Sequence, residues 1–341
     1  MSAVELVENQ RDRLIRQNIN MNPTRIELEL TEQCNLKCLF CYNSQKPIVS
    51  EIAWEIIDRL HEEGVMEVIL TGGEPMLHPQ FQNLLFRCTE LFPKVMIQTN
   101  GTLITSDMAR SFVERGVFGV NVSLHGPKRI HERLTGIEGS YELAFNGLKN
   151  LVDVGINVAS NFVLTAENTQ YLEETIDGLY SLGLRELTLT RFTPSGIGAS
   201  NEWLAISSAS INQALSIAKQ KSDDYGDLRI ILANSMPYCA LHDNLKSFCE
   251  CCHFGVSRFY VDVRGDVLMC GMSRIRLGNV LQQSFREIKA SSGIYQDHVC
   301  GIDVPDTCKS CDNFSQCRGG CRAAAYASTG RIEGPDPHSL Y

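Results

Sequence analysis

The chain lacks any long hydrophobic run. No stretch approaches the roughly 18 uninterrupted apolar residues that a membrane-spanning helix needs. The N-terminal segment MSAVELVENQRDRL is charged throughout and does not contain the apolar middle of a secretory signal peptide. These absences argue against an integral membrane protein and a secreted protein. They predict a cytoplasmic protein without a membrane partner.

Runs of lysine and arginine are also absent, and the net charge of the 341 residues is −9. A protein that binds nucleic acid by neutralising phosphates is usually basic, so no nucleic-acid partner is expected. Solubility is sufficient to explain the acidic balance. Hydrophobic residues make up 43% and charged residues 21%, which is ordinary for a globular chain with one large domain and a smaller one.

Cysteine, in contrast, is abundant and unevenly distributed, with 14 residues in the chain. Three lie within 34–41, one stands alone at 88, and ten fall between 239 and 321. Disulfides do not persist in a reducing cytoplasm, so clustered cysteines there indicate metal binding or redox chemistry. The distribution predicts two metal-bearing regions, separated by a long stretch of ordinary sequence.

The first two thirds of the chain alternate strand-like runs with amphipathic helical stretches. The predicted strands are RIELEL, MEVILTGG, KVMIQTNG, VFGVNVSLHG, INVASNFVLT and ELTLTRF. Six β/α units predict an α/β fold, a parallel sheet curved into a partial (β/α)6 TIM-like barrel. Functional residues of such barrels lie in the loops after the strands, and the glycine-rich and polar motifs here follow the first, second and fourth strands.

Past residue 235 the alternation ends, and glycines, cysteines and a predicted hairpin, FYVDVRGDVLMC, dominate. We interpret this part as a small domain organised by metal rather than by a large core. The predicted organisation is an N-terminal extension over 1–22, the partial barrel over 23–230 and the cysteine-rich domain over 235–341.

The first predicted strand runs into a loop with Cys34, Cys38 and Cys41 in C-x3-C-x2-C spacing. Three thiolates on one short loop can hold three corners of a [4Fe–4S] cluster, which leaves the fourth iron open. An open metal position is what chemistry at a metal requires. The triplet alone leaves one alternative, a zinc site completed by a distant fourth ligand.

This spacing, with the aromatic Phe40 before the last cysteine, resembles the signature of the radical S-adenosylmethionine (SAM) superfamily. The second predicted strand ends in a segment similar to the GGEP element of that family, Gly72, Gly73, Glu74 and Pro75. The resemblance implies that the open iron chelates the amino and carboxylate groups of SAM and that the GGEP segment binds the amino group. Glycines suit this position because they let the backbone approach a ligand closely. The two elements, one β/α unit apart, favour iron–sulfur over zinc.

The same resemblance implies how SAM is held and used. In the family, the reduced cluster cleaves SAM to methionine and a 5′-deoxyadenosyl radical, which takes a hydrogen atom from the substrate. Asn161 points into the barrel mouth if the strand alternation holds, and is otherwise a core amide. The remaining candidate contacts are Phe40 and Tyr42 for the adenine, Ser123 as a polar contact after the fourth strand, and Arg133 or Arg191 for the SAM carboxylate.

The later cysteines resemble the SPASM extension of radical SAM enzymes, which holds one or two auxiliary [4Fe–4S] clusters. They form Cys252-x12-Gly265-x4-Cys270 and Cys308-x2-Cys311-x5-Cys317-x3-Cys321. By resemblance, the first auxiliary cluster takes Cys252, Cys270 and Cys321, with Cys249 or Cys251 as fourth ligand, and the second takes Cys308, Cys311 and Cys317.

One departure from the SPASM pattern affects the second cluster. The family has a further cysteine where this chain has Ser339. The second cluster then has an oxygen or nitrogen ligand, has an open iron, or does not form. A zinc ribbon over 308–321 is the alternative for this segment.

Two cysteines outside these sets attract separate predictions. Cys88 shares an apolar helical face with Leu84 and Leu85 and is predicted to be core. Cys239 is the candidate catalytic residue, because cysteines donate a hydrogen atom to a substrate radical in some radical SAM epimerases. A buried or incidental thiol is the alternative at that position.

Three functions remain open at this stage. The first is modification of a peptide or protein by crosslinking, epimerisation or oxidation. The second is modification of a small molecule such as a porphyrin side chain, because GCRAAAYASTGR looks like the corresponding stretch of haem-modifying members. The third is a non-catalytic iron–sulfur electron carrier, against which the GGEP loop argues.

The family also implies partners. An electron donor such as flavodoxin or ferredoxin is expected. Because the segment before the barrel is short, a separate leader-peptide recognition protein is expected with a peptide substrate.

Overall fold

A computed structural model describes residues 16–249 and 252–340, and the predicted strands form one sheet in it. Seven parallel strands follow one another in chain order, each paired with the next. They are β1 (Arg25–Thr31), β2 (Glu67–Gly72), β3 (Lys94–Thr99), β4 (Gly119–Ser123), β5 (Asn157–Leu164), β6 (Glu186–Arg191) and β7 (Arg229–Leu232). The parallel β/α arrangement confirms the predicted fold class, and β7 extends the sheet beyond the six predicted strands.

Helices connect the parallel strands. Those of the first part are α1 (Ala53–Glu62), α2 (Phe81–Leu91), α3 (Ser106–Glu114), α4 (Lys128–Thr135), α5 (Ser140–Asp153), α6 (Leu172–Leu182) and α7 (Ser208–Tyr225). In α1, Ile56, Ile57 and Leu60 recur at helical spacing and are fully buried, as the sequence pattern predicts. Cys88 on α2 is also fully buried in the core.

The C-terminal part joins the same sheet instead of forming a second one. The strand β8 (Arg258–Val261) pairs in parallel with β1, and β9 (Asp266–Leu268) and β10 (Arg276–Asn279) continue outwards in antiparallel pairs. The β8–β9 pair is the predicted hairpin. Short helices follow: α8 (Phe285–Ser291), α9 (Gly293–Cys300), α10 (Asp306–Lys309), α11 (Phe314–Cys317) and α12 (Arg322–Thr329).

The hydrophobic core runs through both parts. Leu28 on β1 and Phe259 on β8 belong to one buried cluster, together with Phe285 and Tyr295 from α8 and α9. Apolar burial, which stabilises by about 25 cal/mol per Å², therefore acts across the predicted boundary near residue 230. The C-terminal part is thus held by packing as well as by any metal, which the sequence did not reveal.

No helix within the described ranges is long and apolar enough to cross a membrane. The predicted cytoplasmic location stays a prediction.

Candidate active site

The loop that carries Cys34, Cys38 and Cys41 lies at the carboxyl end of β1, and all three residues line one cavity of ≈ 290 Å³. The end of α4 holds this loop in place. The Lys37 N–H donates to the Thr135 carbonyl at 2.8 Å, and the Leu39 N–H donates to the Leu134 carbonyl at 2.9 Å. These backbone bonds fix a loop that has no regular structure of its own.

Burial sets the electrostatics of the three thiols. It raises the pKa of Cys34 to about 11 and raises the pKa of Cys38 and Cys41 as well. Without a compensating positive charge these thiols hold their protons at neutral pH. A metal ligand must be a thiolate, so the site favours deprotonation only together with a cationic partner such as iron.

Nitrogen donors surround the thiol sulfurs. The Leu36 N–H donates to Cys34 Sγ and the Asn43 N–H to Cys41 Sγ, each at 3.4 Å. The Asn100 side chain lies 3.8 Å from Cys34 Sγ. Hydrogen bonds to cysteine sulfur are one of the means by which proteins tune iron–sulfur clusters. The donor set therefore fits a cluster at this loop.

The spacing of the ligands bears on the zinc alternative. Within residues 16–249 and 252–340, no three Cys, His, Asp or Glu side chains converge closely enough to share a single metal ion. Zinc draws its sulfur ligands to about 2.3 Å from one ion.

Gly72 and Gly73 bring the end of β2 against the cysteine loop. A Cβ on Gly73 would lie 2.1 Å from the Gln33 carbonyl oxygen, and Gly72 has a φ of +150°. The Gly73 N–H donates to the Thr31 carbonyl and the Glu74 N–H to the Gln33 carbonyl, both at 2.7 Å. Only glycine permits this close approach, and both glycines line the cavity.

The buried carboxylate of Glu74 joins the ends of β2 and β3. It accepts hydrogen bonds from Thr99 Oγ1 at 2.9 Å, from the Asn100 N–H at 2.8 Å and from the Met76 N–H at 3.2 Å. Burial raises the pKa of Glu74 to about 7. Glu74 and Pro75 are not among the cavity-lining residues of the described chain. Their predicted contact with SAM stays a prediction.

The other predicted contacts, Phe40, Tyr42 and Ser123, all line the cavity, and so does Asn161, which was expected to point into the barrel mouth. The Phe40 ring meets His125 edge-on, with 4.6 Å between ring centroids. Asn161 faces the cavity while its Oδ1 accepts a hydrogen bond from Thr190 Oγ1 at 2.7 Å. These positions are consistent with the SAM contacts that the resemblance implies.

The two arginine candidates for the SAM carboxylate are in different situations. Arg133 forms an ion pair with Glu167 at 3.0 Å and is not among the described cavity-lining residues. Arg191 lines the cavity, but its terminal nitrogens lie 2.8 and 2.9 Å from the carboxylate of Asp336. Its Nε is buried without a hydrogen-bond partner among the described residues.

Several polar residues of the cavity wall were missed by the sequence analysis. Asn121 Oδ1, His131 Nε2 and Thr193 Oγ1 are buried, and none has a hydrogen-bond partner in the described structure. Buried polar atoms are normally paired, so these three indicate contacts to a bound molecule. A sequence signal did exist for Asn121, which lies two residues before Ser123 and on the same face of β4.

Cysteine-bearing segments of the C-terminal part also line the cavity, where Cys270 and Gly271 form part of the wall. A Cβ on Gly271 would lie 2.9 Å from the Tyr260 ring and 3.2 Å from the Tyr42 ring. The residue after Cys270 is thus pressed against the residue after Cys41. The first predicted auxiliary site and the cysteine loop therefore face one chamber.

The predicted ligands of the first auxiliary cluster are partly assembled. Cys270 and Cys321 are buried in one small cluster with Ala323 and Ala324. Burial raises the pKa of Cys270 to about 11, and the nearby Cys321 thiol adds to the effect. Cys252 is half-buried.

Of the two candidates for the fourth ligand of that cluster, the structure describes Cys249. Cys249 is buried, and its Sγ accepts a hydrogen bond from the Met236 N–H at 3.0 Å. Cys251 lies outside the described residues.

The predicted ligands of the second auxiliary cluster lie nearer the surface. Cys308 and Cys317 are half-buried on α10 and α11, and Cys311 between them is exposed. Cys239, the predicted hydrogen-atom donor, is exposed and is not among the described residues that line the cavity. Its donor role stays a prediction.

Two family models match this chain. The radical SAM superfamily model matches residues 28–179, and the SPASM model, an iron–sulfur cluster-binding domain, matches residues 249–321. This protein is a radical SAM enzyme with a SPASM domain. The match confirms the predicted family and its cofactors, SAM and iron–sulfur clusters. The assignment of individual ligands remains a prediction.

Relatives of known activity span nearly the whole radical SAM–SPASM chain. The mycofactocin maturase MftC of Mycobacterium tuberculosis is 29% identical over 93% of this chain and 83% of its own. The AdoMet-dependent heme synthase of Oleidesulfovibrio alaskensis is 24% identical over 93% of this chain and 87% of its own.

Solved structures share the fold at lower identity. Streptococcus suis SuiB has a TM-score of 0.77 at 16% identity, covering 98% of this chain and 81% of its own. The enzyme anSMEcpe with bound AdoMet and a peptide has a TM-score of 0.72 at 19% identity, covering 92% of each chain.

Proposed function

We propose that this radical SAM enzyme abstracts hydrogen from a peptide or protein substrate and so crosslinks, epimerises or oxidises it. The observation that carries the proposal is the charge of the cavity. Among its described lining residues there is one arginine and no lysine, and that arginine, Arg191, is paired with Asp336. Burial lowers the pKa of His125 and lowers that of His131 to about 4, so both imidazoles are neutral.

A cavity of this kind suits a peptide better than a porphyrin. The porphyrins of haem biosynthesis carry several carboxylates, and burying a carboxylate without a cationic partner costs several kcal/mol. A peptide backbone is neutral and needs hydrogen-bonding groups instead. Unpartnered atoms such as Asn121 Oδ1 and Thr193 Oγ1 offer such groups.

Residues of this chain would prepare the site as follows. Cys34, Cys38 and Cys41 would bind the cluster. Gly73 would let the backbone that follows β2 approach SAM closely. When bound, cluster and SAM together supply the 5′-deoxyadenosyl radical. Phe40 and the segment at Gly271 both line the chamber and would exclude water from it.

Relatives with related folds support a peptide substrate. SuiB, at 17% identity, has been solved bound to precursor peptide SuiA, and anSMEcpe has been solved with bound peptides. The fold therefore accommodates a peptide beside the cofactor. The maturase MftC aligns over nearly the whole chain.

Porphyrin modification is the second candidate, because other relatives favour it. The AdoMet-dependent heme synthase of Methanosarcina barkeri is 24% identical over 94% of this chain. The Fe-coproporphyrin III synthase of the same organism is 32% identical over 43% of this chain.

SAM cleavage is tested first. Anaerobically reconstituted protein, given SAM and dithionite in place of a protein electron donor, should release 5′-deoxyadenosine. The triple variant C34A/C38A/C41A should release none. Release by the triple variant at the wild-type rate would contradict the assignment of the cysteine loop.

Substrate class is tested second, by adding either short peptides encoded beside the gene or Fe-coproporphyrin III. We expect a peptide to accelerate 5′-deoxyadenosine release and to change in mass, and deuterium at its reacting carbon to appear in 5′-deoxyadenosine. Acceleration and turnover with the porphyrin alone would overturn the peptide proposal in favour of the second candidate.

A further inference from the structure

The second auxiliary site has one ligand fewer than a cubic cluster normally takes. Cys308, Cys311 and Cys317 are three predicted ligands, and Ser339 stands where the resemblance implies a fourth cysteine. A [4Fe–4S] cluster is usually held by four thiolates, because soft sulfur ligands suit iron–sulfur clusters better than a serine hydroxyl does.

The segment that carries Cys239 packs directly against this set. Cys239 lies in the short 3-10 turn Tyr238–Ala240, and the Tyr238 N–H donates a hydrogen bond to Cys317 Sγ at 3.3 Å. A Cβ on Gly320 would lie 2.8 Å from the Pro237 ring. The two segments are therefore in van der Waals contact, and Cys239 follows a residue that already binds one of the sulfurs.

The other predicted ligands are joined to Cys317 by short backbone turns. The Cys311 N–H donates to the Cys308 carbonyl at 3.1 Å, and the Phe314 N–H donates to the Cys311 carbonyl at 2.9 Å. Phe314 begins α11, which ends at Cys317. The turn at Cys239 therefore reaches this group of cysteines from a distant part of the chain.

The stretch around Ser339 is held by other contacts. The Ser339 N–H donates to the Asp336 carbonyl at 2.7 Å, and Asp336 is paired with Arg191. The His338 ring lies 2.9 Å from Ser208 Oγ at the start of α7. This turn is fixed to β6 and α7, while the turn at Cys239 is fixed to Cys317.

We propose that Cys239 is the fourth ligand of the second auxiliary iron–sulfur cluster, completing the set Cys308, Cys311 and Cys317. It lies outside residues 249–321, which the SPASM model matches. On binding, its thiol releases a proton to solvent and forms one iron–sulfur bond. The proposal rests on the SPASM domain holding clusters and is independent of the substrate.

Cys249 is the competing residue, since its thiol also lies near Cys317. Its Sγ, however, is buried between the Met236 N–H and carbonyl, at 3.0 and 3.3 Å. Arg191 and Asp336 act on the same thiol. Because Asp336 also accepts from the Cys321 N–H at 2.9 Å, Cys249 lies on the side of the first auxiliary site.

The test counts iron and sulfide and records electron paramagnetic resonance spectra of anaerobically reconstituted, full-length protein. C239A is compared with C308A/C311A, with the combined variant C239A/C308A/C311A and with C300A as a matched cysteine control. We expect C239A to lose between one and about four irons, which corresponds to opening or losing one cubic cluster. C300A should match the wild type.

The combined variant decides whether the residues share one cluster. If they do, C239A/C308A/C311A contains no less iron than C308A/C311A. Wild-type iron and spectra in C239A, or a further loss of about four irons in the combined variant, would overturn the proposal. C239S provides a second measurement should C239A fold poorly: an oxygen ligand should change the spectrum of the second cluster, and an unchanged spectrum contradicts the assignment.

Discussion

The two cysteine regions of this enzyme differ in where they put their thiols. Cys34, Cys38 and Cys41 line an internal chamber, on a loop held by α4 and pressed by the glycines after β2. In the C-terminal region Cys270 also lines that chamber, but Cys311 and Cys239 are exposed. A buried site controls which molecules reach its metal, whereas a surface site can exchange electrons with a partner. We therefore expect similar ligands to serve different tasks because of the fold around them.

Single cysteine variants should separate the two regions most strongly. C38A is expected to bring 5′-deoxyadenosine release to background, because a cubic cluster that loses one of only three ligands does not bind SAM. C311A should leave measurable release. Chromatography of 5′-deoxyadenosine measures SAM cleavage in both variants. If C311A abolished SAM cleavage as completely as C38A, the difference between the two regions would be contradicted.

The buried ion pair of Arg191 and Asp336 joins the end of β6 to the stretch that follows the last cysteine. The side chains are 1% and 0% exposed, so removing one partner leaves an uncompensated charge. D336A should lower the free energy of unfolding by about 3–5 kcal/mol. The matched surface pair is Arg331–Glu333, where the side chains are 69% and 44% exposed, and E333A should change it by about 0–1 kcal/mol. Anaerobic denaturant titration measures both, and equal effects would contradict the role of burial.

The glycine after β2 should be sensitive for a steric reason. In G73A the added methyl would lie 2.1 Å from a backbone oxygen, which cannot move without displacing the loop before Cys34. We expect the free energy of unfolding to fall by an amount near the upper end of about 1–3 kcal/mol, and SAM binding to weaken. G178A is the control, because nothing lies within 4 Å of its added Cβ. SAM binding is measured by the change that SAM causes in the cluster's spectrum. If that change is the same in G73A as in wild type, the close approach of the backbone to SAM at Gly73 is contradicted.

Glu27 should make stability depend on pH. Burial raises its pKa to about 7, although Arg258 and Arg25 oppose the shift. As pH rises from 5 to 7, the unfolded chain has already lost this proton while the folded chain retains it, so stability falls by about 1–2 kcal/mol. E27Q should remove this part of the decline. Parallel stability–pH curves for E27Q and wild type would contradict the shift.

Much of the barrel was predictable because its strands are short apolar runs with clear boundaries. Predicted strands such as RIELEL and ELTLTRF agree with β1 and β6 within a residue at each end. The helix α4 was missed, since Ile130 and Leu134 are its only large apolar residues among charged neighbours. In the site, the GGEP glycines were readable from a motif.

The rest of the site depends on contacts between distant residues. No local pattern brings Arg191 to Asp336 or the turn at Cys239 to Cys317. Asn121, His131 and Thr193 become candidates only when the fold shows that their polar atoms are buried and unpartnered. A sequence motif does not identify such residues, because their role depends on the neighbours that the folded sheet places around them.

The pairing of β8 with β1 has a consequence for engineering. Residues Arg25 to Leu28 are matched one by one with Arg258 to Val261, so the C-terminal part occupies a backbone edge of the barrel. A truncation before residue 250 would expose the hydrogen-bonding edge of β1, and exposed strand edges promote aggregation. Chimeras that exchange this part between relatives must therefore reproduce the four-residue alignment of β8, as well as the cysteines beyond it.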